Sequence, residues 1–155
     1  MFRKDSMVDK EKLQKKINLQ KTKNIISKIE GIQVIDYEEQ YLFDEEYLRK
    51  IKFFSSDKVA DSKISDYSND YEVIEWIYKL MDFQIDQVWY IFLNGFLIKI
   101  QILDIKTAIM SLWNGIYEYD KGFVLVNEKK STMFEFGSDS RDEENYLFDK
   151  YPLIQ

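Results

Sequence analysis

The chain has no histidine and no cysteine, and only one proline and five glycines in 155 residues. Without imidazole or thiol it cannot build a Ser-His-Asp or Cys-His nucleophilic triad, a zinc site of the common kinds or a disulfide. Five glycines supply neither a Walker loop nor a GxGxxG turn, so no phosphate cradle is written into the sequence. Long apolar runs are missing as well. The most apolar stretch, Val88 to Ile105, is broken by Asn94-Gly95, Lys99, Gln101 and Asp104. It is too polar for a bilayer and suits a buried hairpin. The opening residues Met1-Phe2-Arg3-Lys4-Asp5 lack the apolar stretch of a secretion signal. A cytoplasmic location is therefore expected, with no cofactor and no metal.

Aromatic and acidic residues are abundant by contrast. The chain carries 11 Phe, 11 Tyr and 3 Trp, is 45% hydrophobic and 32% charged, and has a net charge of -6. That balance describes a single folded domain spanning residues 1–155, with enough apolar material for a core of its own. The charge is unevenly placed. Residues 1–30 hold nine Lys/Arg against four Asp/Glu, and the remaining 125 hold 13 against 24. An acidic body repels nucleic-acid phosphates and attracts basic surfaces. The lysines of the N-terminal segment (Lys10, Lys12, Lys15, Lys16, Lys21, Lys23, Lys28) are spread around a helix, so neither nucleic acid nor membrane is the expected partner.

Periodicity predicts a helix over Asp9–Glu30 with Leu13, Ile17, Ile25, Ile26 and Ile29 as a partial stripe, stopped by Gly31. A short strand is expected around Ile32–Tyr37. A second helix is expected over Tyr41–Phe54, with Leu42, Tyr47 or Leu48, Ile51 and Phe54 on its apolar side. Ser55–Ser68 reads as a polar loop. Asn69 and Glu72 form a capping box for a helix carrying Tyr71, Ile74, Ile77, Tyr78 and Met81 on its buried face. Asn94-Gly95 between Val88–Phe92 and Phe96–Ile102 specifies a two-residue type I′ hairpin. Asp104 caps a helix with Ile105, Ala108, Ile109 and Leu112 inward, closing at Asn114-Gly115. Tyr117–Tyr119 reads as a short strand, and Phe123–Val126 with Met133–Phe136 as a hairpin. Gly137–Glu144 reads as a second polar loop, and Tyr146–Phe148 as a last strand or a helical turn. The predicted class is α+β, with N-terminal helices followed by an antiparallel sheet and an interposed helix.

Carboxylates are the only plentiful chemical groups. Asp139-Ser140-Arg141-Asp142-Glu143-Glu144 fails as a calcium loop: Arg141 takes the third ligand position, Glu144 replaces the turn glycine and Lys150 the final glutamate. A second acidic cluster joins Glu38, Glu39, Asp44, Glu45 and Glu46 with Tyr37, Tyr41, Phe43 and Tyr47. Acidic and aromatic residues together are what an inhibitor needs against a basic cleft. Carboxylates stand in for phosphates and speed encounter, while rings provide desolvated anchors.

Ser111-Leu112-Trp113-Asn114-Gly115, Gly122-Phe123-Val124-Leu125-Val126-Asn127-Glu128 and Thr132-Met133-Phe134-Glu135-Phe136-Gly137 resemble small bacterial immunity proteins over about residues 85–150. Those proteins neutralise polymorphic or contact-dependent growth inhibition toxins. The resemblance implies binding without catalysis, the partner being the basic C-terminal domain of a cognate protein toxin, such as a nuclease. The candidate toxin-binding residues are Asp139, Asp142, Glu143 and Glu144, then Glu38, Glu39, Asp44, Glu45 and Glu46, with Tyr41 and Tyr119. Two readings of another class stay open on the residues alone: a carboxylate-dependent hydrolase and a small adaptor subunit of a larger assembly.

Overall fold

The computed structural model describes residues 2–39 and 58–153, with side chains from residue 8 onward. The fold is α+β. A long helix, α1 (Phe2–Ile26), precedes strands β1 (Ile32–Glu39) and β2 (Ser62–Ser65), which are followed by helix α2 (Asp70–Met81). Strands β3 (Val88–Leu93) and β4 (Phe96–Ile102) come next, then helix α3 (Ile105–Gly115) and strands β5 (Gly122–Asn127), β6 (Thr132–Asp139) and β7 (Asp142–Pro152). The strands form one antiparallel sheet in the order β1-β4-β3-β5-β6-β7-β2. The helix expected over Tyr41–Phe54 lies outside the described residues.

The β3–β4 hairpin forms as its turn dictates. Asn94 and Gly95 both have positive φ (52° and 83°), the pair of values that matches the twist of the flanking strands. Phe96, Ile98, Ile100 and Ile102 then point to the face where Ile74, Ile77, Ile109, Leu112 and Trp113 of the helices pack. The opposite face is apolar too, with Tyr90, Leu97, Val124, Val126, Met133, Tyr151 and Leu153 forming a second buried cluster. Central strands buried on both faces read as unbroken apolar runs, which explains VWYIFL and GFVLVN.

Helix starts follow local chemistry. Asn69 Oδ1 accepts from the Glu72 N–H at 2.9 Å, and Glu72 Oε1 accepts from the Asn69 N–H at 3.4 Å. This capping box satisfies two otherwise orphaned donors. Asp104 Oδ1 accepts from the Thr107 N–H and opens α3. The buried side of α2 is Val73, Ile74, Ile77 and Met81. Tyr71 and Tyr78, expected on that stripe, are 77% and 38% exposed. A phenol is amphipathic, and the Tyr78 ring lies under Lys106 of α3, whose Nζ is 5.5 Å from its centroid.

Across β5, β6 and β7, Phe123, Phe136 and Phe148 stand in register on the helix-covered face. Their rings stack at centroid separations of 5.1 and 4.7 Å, and Trp76 of α2 meets Phe136 edge-on at 5.7 Å. Such pairs each add about 0.5–1.5 kcal/mol beyond the area they bury.

Three expectations are corrected. Ser62–Ser65, within the expected Ser55–Ser68 loop, is β2: its one apolar residue, Ile64, packs against the core while pairing with β7 supplies the hydrogen bonds. Tyr117–Tyr119 is an irregular link without a strand partner among the described residues. Gly137–Glu144 is mostly strand, since β6 runs on to Asp139 and β7 starts at Asp142 after a two-residue turn. Polar residues hid these strand ends because they lie at the rim of the sheet, where no apolar alternation is demanded. Tyr146–Phe148 resolves as strand.

Gly31 joins the two ends of this layout. Its φ is +81°, and its carbonyl accepts from the Leu103 and Asp104 N–H groups at 2.9 and 3.1 Å. A Cβ there would lie 2.6 Å from the Ala108 nitrogen, whereas a Cβ on Gly95 would meet nothing within 4 Å. Gly95→Ala should therefore lose about 1–2 kcal/mol from its left-handed backbone alone. Gly31→Ala should lose clearly more, because backbone must also move. Urea unfolding midpoints of the two variants test this ranking, and equal losses would contradict it.

Candidate functional site

The antiparallel order places the end of β1, the β3–β4 turn, the start of β5, the β6–β7 turn and the end of β2 at one end of the sheet. At this end β7 leaves the ladder. Gly137 pairs with Leu147 and Asp139 pairs with Asp142, so β6 advances two residues while β7 advances five. The three extra residues form a bulge on the β6 side, while on the other side Asn145 and Tyr146 pair with Ser65 and Ile64 of β2. Bulges commonly re-aim side chains beside functional sites.

The bulge makes one wall of a cleft of about 480 Å³. Asp66 enters from the β2–α2 link and Asp120 from the α3–β5 link. Asp139, Asp142 and Glu143 come from the turn and bulge, with Ser138, Ser140, Asn145 and Tyr146 between them. Tyr67 and Tyr119, the chain neighbours of Asp66 and Asp120, are 95% and 89% exposed. The one cation of the turn faces away. Arg141 pairs with Asp139 (Nη2–Oδ2 2.6 Å) and with Asp149, and its Nη1 donates to the Lys58 carbonyl at 3.0 Å. Asp149 is only 2% exposed. Lys58 closes the network on Asp61 at 2.7 Å and Asp149 at 3.4 Å.

Five carboxylates thus converge, and of the cations beside them Arg141 is engaged from behind while Lys63 acts on Asp142 through its charge. Asp66, Asp120 and Glu143 make no side-chain hydrogen bond or ion pair with any described residue. The Arg141 guanidinium holds the Asp139 carboxyl below the usual range. For Asp142 the Asn145 amide and then the Glu144 N–H do the same. Tyr146 is pushed up, first by burial and then by the negative charges of Asp66 and Asp70. Such a cleft attracts a lysine or arginine side chain, and the exposed rings beside it offer flat apolar contact.

Of the sequence-predicted residues, Asp139, Asp142 and Glu143 line the cleft. Glu144 sits on its bulge, with its carbonyl accepting from the Asp66 N–H at 3.0 Å. Tyr119 stands beside Asp120. Glu38 and Glu39 are not part of the cleft. They lie on β1, five strand spacings or about 24 Å across the sheet, paired with Lys130 at 3.0 Å and Lys15 at 3.6 Å. Tyr41, Asp44, Glu45 and Glu46 lie outside the described residues. Asp66, Asp120 and Tyr67 were missed. Their signal is the pairing of an acid with a tyrosine in each polar link, Asp66-Tyr67 and Tyr119-Asp120.

Among the described residues no cluster of three or more carboxylates is placed to hold a metal ion, and no helix is long and apolar enough to cross a membrane. No family model matches the chain, and neither a curated protein nor a solved structure matches it.

Removing Arg141 would strand the buried Asp149 charge beside Lys58 alone. Arg141→Met should destabilise the protein by about 3–5 kcal/mol in chemical denaturation, and a loss below 1 kcal/mol would contradict the network's role. Asp139 and Asp142 have folded pKa values below their unfolded ones, near 3.9. Their contribution is therefore complete above pH ~4 and is lost as pH falls through the folded values. Stability measured against pH should fall in that acid window, and less steeply in Arg141→Met, where Asp139 loses the charge that lowers it.

Proposed function

We propose that the protein is an immunity protein that binds a cognate bacterial toxin in the cytoplasm and occludes its active site or an adjacent surface. One observation carries this reading: five carboxylates from three separate links converge on one cleft, next to two almost fully exposed tyrosines. The proposed partner is a basic toxin domain, a nuclease being the class whose phosphate-binding cleft such a surface would satisfy. Carboxylates would steer the encounter and occupy the cationic site, while Tyr67 and Tyr119 would slow dissociation. The acidic body favours a protein partner over nucleic acid or an anionic membrane.

A carboxylate hydrolase would need one acid held protonated near neutral pH. Asp139 and Asp142 are shifted the other way, so neither is suited to be that acid.

The test is a search for a toxin gene directly upstream, then co-expression with its product and pull-down of that product's C-terminal domain. Binding, restored growth and an affinity that weakens with added salt are expected. Asp66→Lys, Asp120→Lys and Glu143→Lys together should weaken binding at least ~10-fold while the fold is kept, since none of the three side chains bonds to another described residue. No binding and no rescue would remove the proposal.

A further inference from the structure

The function just proposed makes no use of α1, whose residues Val8–Ile17 are exposed. Thr22 is completely buried, donates to the Asn18 carbonyl at 2.7 Å and accepts from Asn94 Nδ2 at 3.1 Å. It ties the helix to the tip of the β3–β4 hairpin, at the acidic end of the sheet. From Thr22 the chain runs along the sheet to Gly31 at the opposite end, where Leu103 and Asp104 meet it. Residues on the other side of Thr22 must therefore project past the acidic end. Every residue from Val8 to Ile17 is exposed, five to fourteen positions before the anchor, or about 7–21 Å of helix. Val8, Leu13 and Ile17 are 48%, 58% and 40% exposed, among Lys10, Lys12, Lys15 and Lys16.

One end of the molecule thus carries two opposed features. A protruding basic helix with exposed aliphatic side chains stands on the β1 side, and the tyrosine-rimmed acidic cleft lies on the β7–β2 side. A two-fold axis normal to the sheet brings the same end of two copies face to face and reverses the order of their edges. The β1 side of each copy then meets the β7–β2 side of the other. We infer that the exposed Val8–Ile17 stretch of α1 docks on a second copy of this chain, laid across its acidic end in a closed two-fold dimer. Charge complementarity names the occupant: residues 1–30 carry a net charge of +5 and the rest of the chain -11. The contact is self-complementary, so association stops at two. Leu13 and Ile17 supply apolar surface for Tyr67 and Tyr119, and the lysines supply cations for Asp66, Asp120 and Glu143.

The test uses the full chain with no other protein present. Its oligomeric state is read by sedimentation and light scattering over a range of concentrations, in low and in high salt. A dimer in low salt that dissociates as salt rises is expected. Lys10→Glu/Lys12→Glu/Lys16→Glu should weaken it at least ~10-fold with an unchanged circular-dichroism spectrum. Adding Asp66→Lys/Asp120→Lys/Glu143→Lys to that variant should restore the dimer. A monomer at every concentration in low salt overturns the inference. So does a dimer indifferent to salt and to both charge reversals, and so does an open-ended polymer. No toxin enters the measurement, so the outcome is independent of toxin binding.

Discussion

Three phenylalanines in cross-strand register set the constraint on which the rest depends. With Phe123, Phe136 and Phe148 stacked and capped by Trp76, β5, β6 and β7 cannot slip. A slip of one residue would turn every ring to the wrong face of the sheet. The β6–β7 turn fixes the other end of the pair at Asp139 and Asp142. Between two fixed points β7 has three residues too many, and they can only leave the ladder. Core packing thus creates the bulge, and the bulge gives the cleft its wall, while β2 pairs along β7 from Phe148 to Asn145.

Electrostatics finishes what packing starts. A turn rich in carboxylates would repel itself if left alone. Arg141 removes that difficulty from behind, bonding Asp139 and the buried Asp149 while leaving the solvent side acidic. Lys58 secures the same corner to the strand that follows it. The surface can then present unneutralised charge because its supports are neutralised underneath. The opposite edge behaves differently: Glu38 and Glu39 meet lysines from other elements and lose their free charge.

Much of the fold was legible because its signals are local. The Asn94-Gly95 turn, the Asn69–Glu72 box and the Asp104 cap each specify geometry within four residues, and all three occur as read. The first half of the site was legible for the same reason, since Asp139 to Glu144 are contiguous. The second half was not. Asp66 and Asp120 stand far apart in the chain and meet the turn only through the sheet order β5-β6-β7-β2, which no periodicity encodes. β2 itself has a single inward apolar side chain, Ile64, too little to register as a strand. Tyr71 and Tyr78 have helical spacing yet stay exposed, because spacing assigns a face and not the depth to which that face is buried.

The sheet order also has a kinetic side. Tight turns join β3 to β4, β5 to β6 and β6 to β7, whereas Ile32 pairs with Ile102 and Ser62 with Phe148, 70 and 86 residues apart. Closing such long loops carries the largest entropy loss and rewards it latest. The two edges therefore zip onto a centre already formed. The cleft needs β2, so it is the last surface to exist on the way to the native state. A chain that is still folding has no such cleft to present.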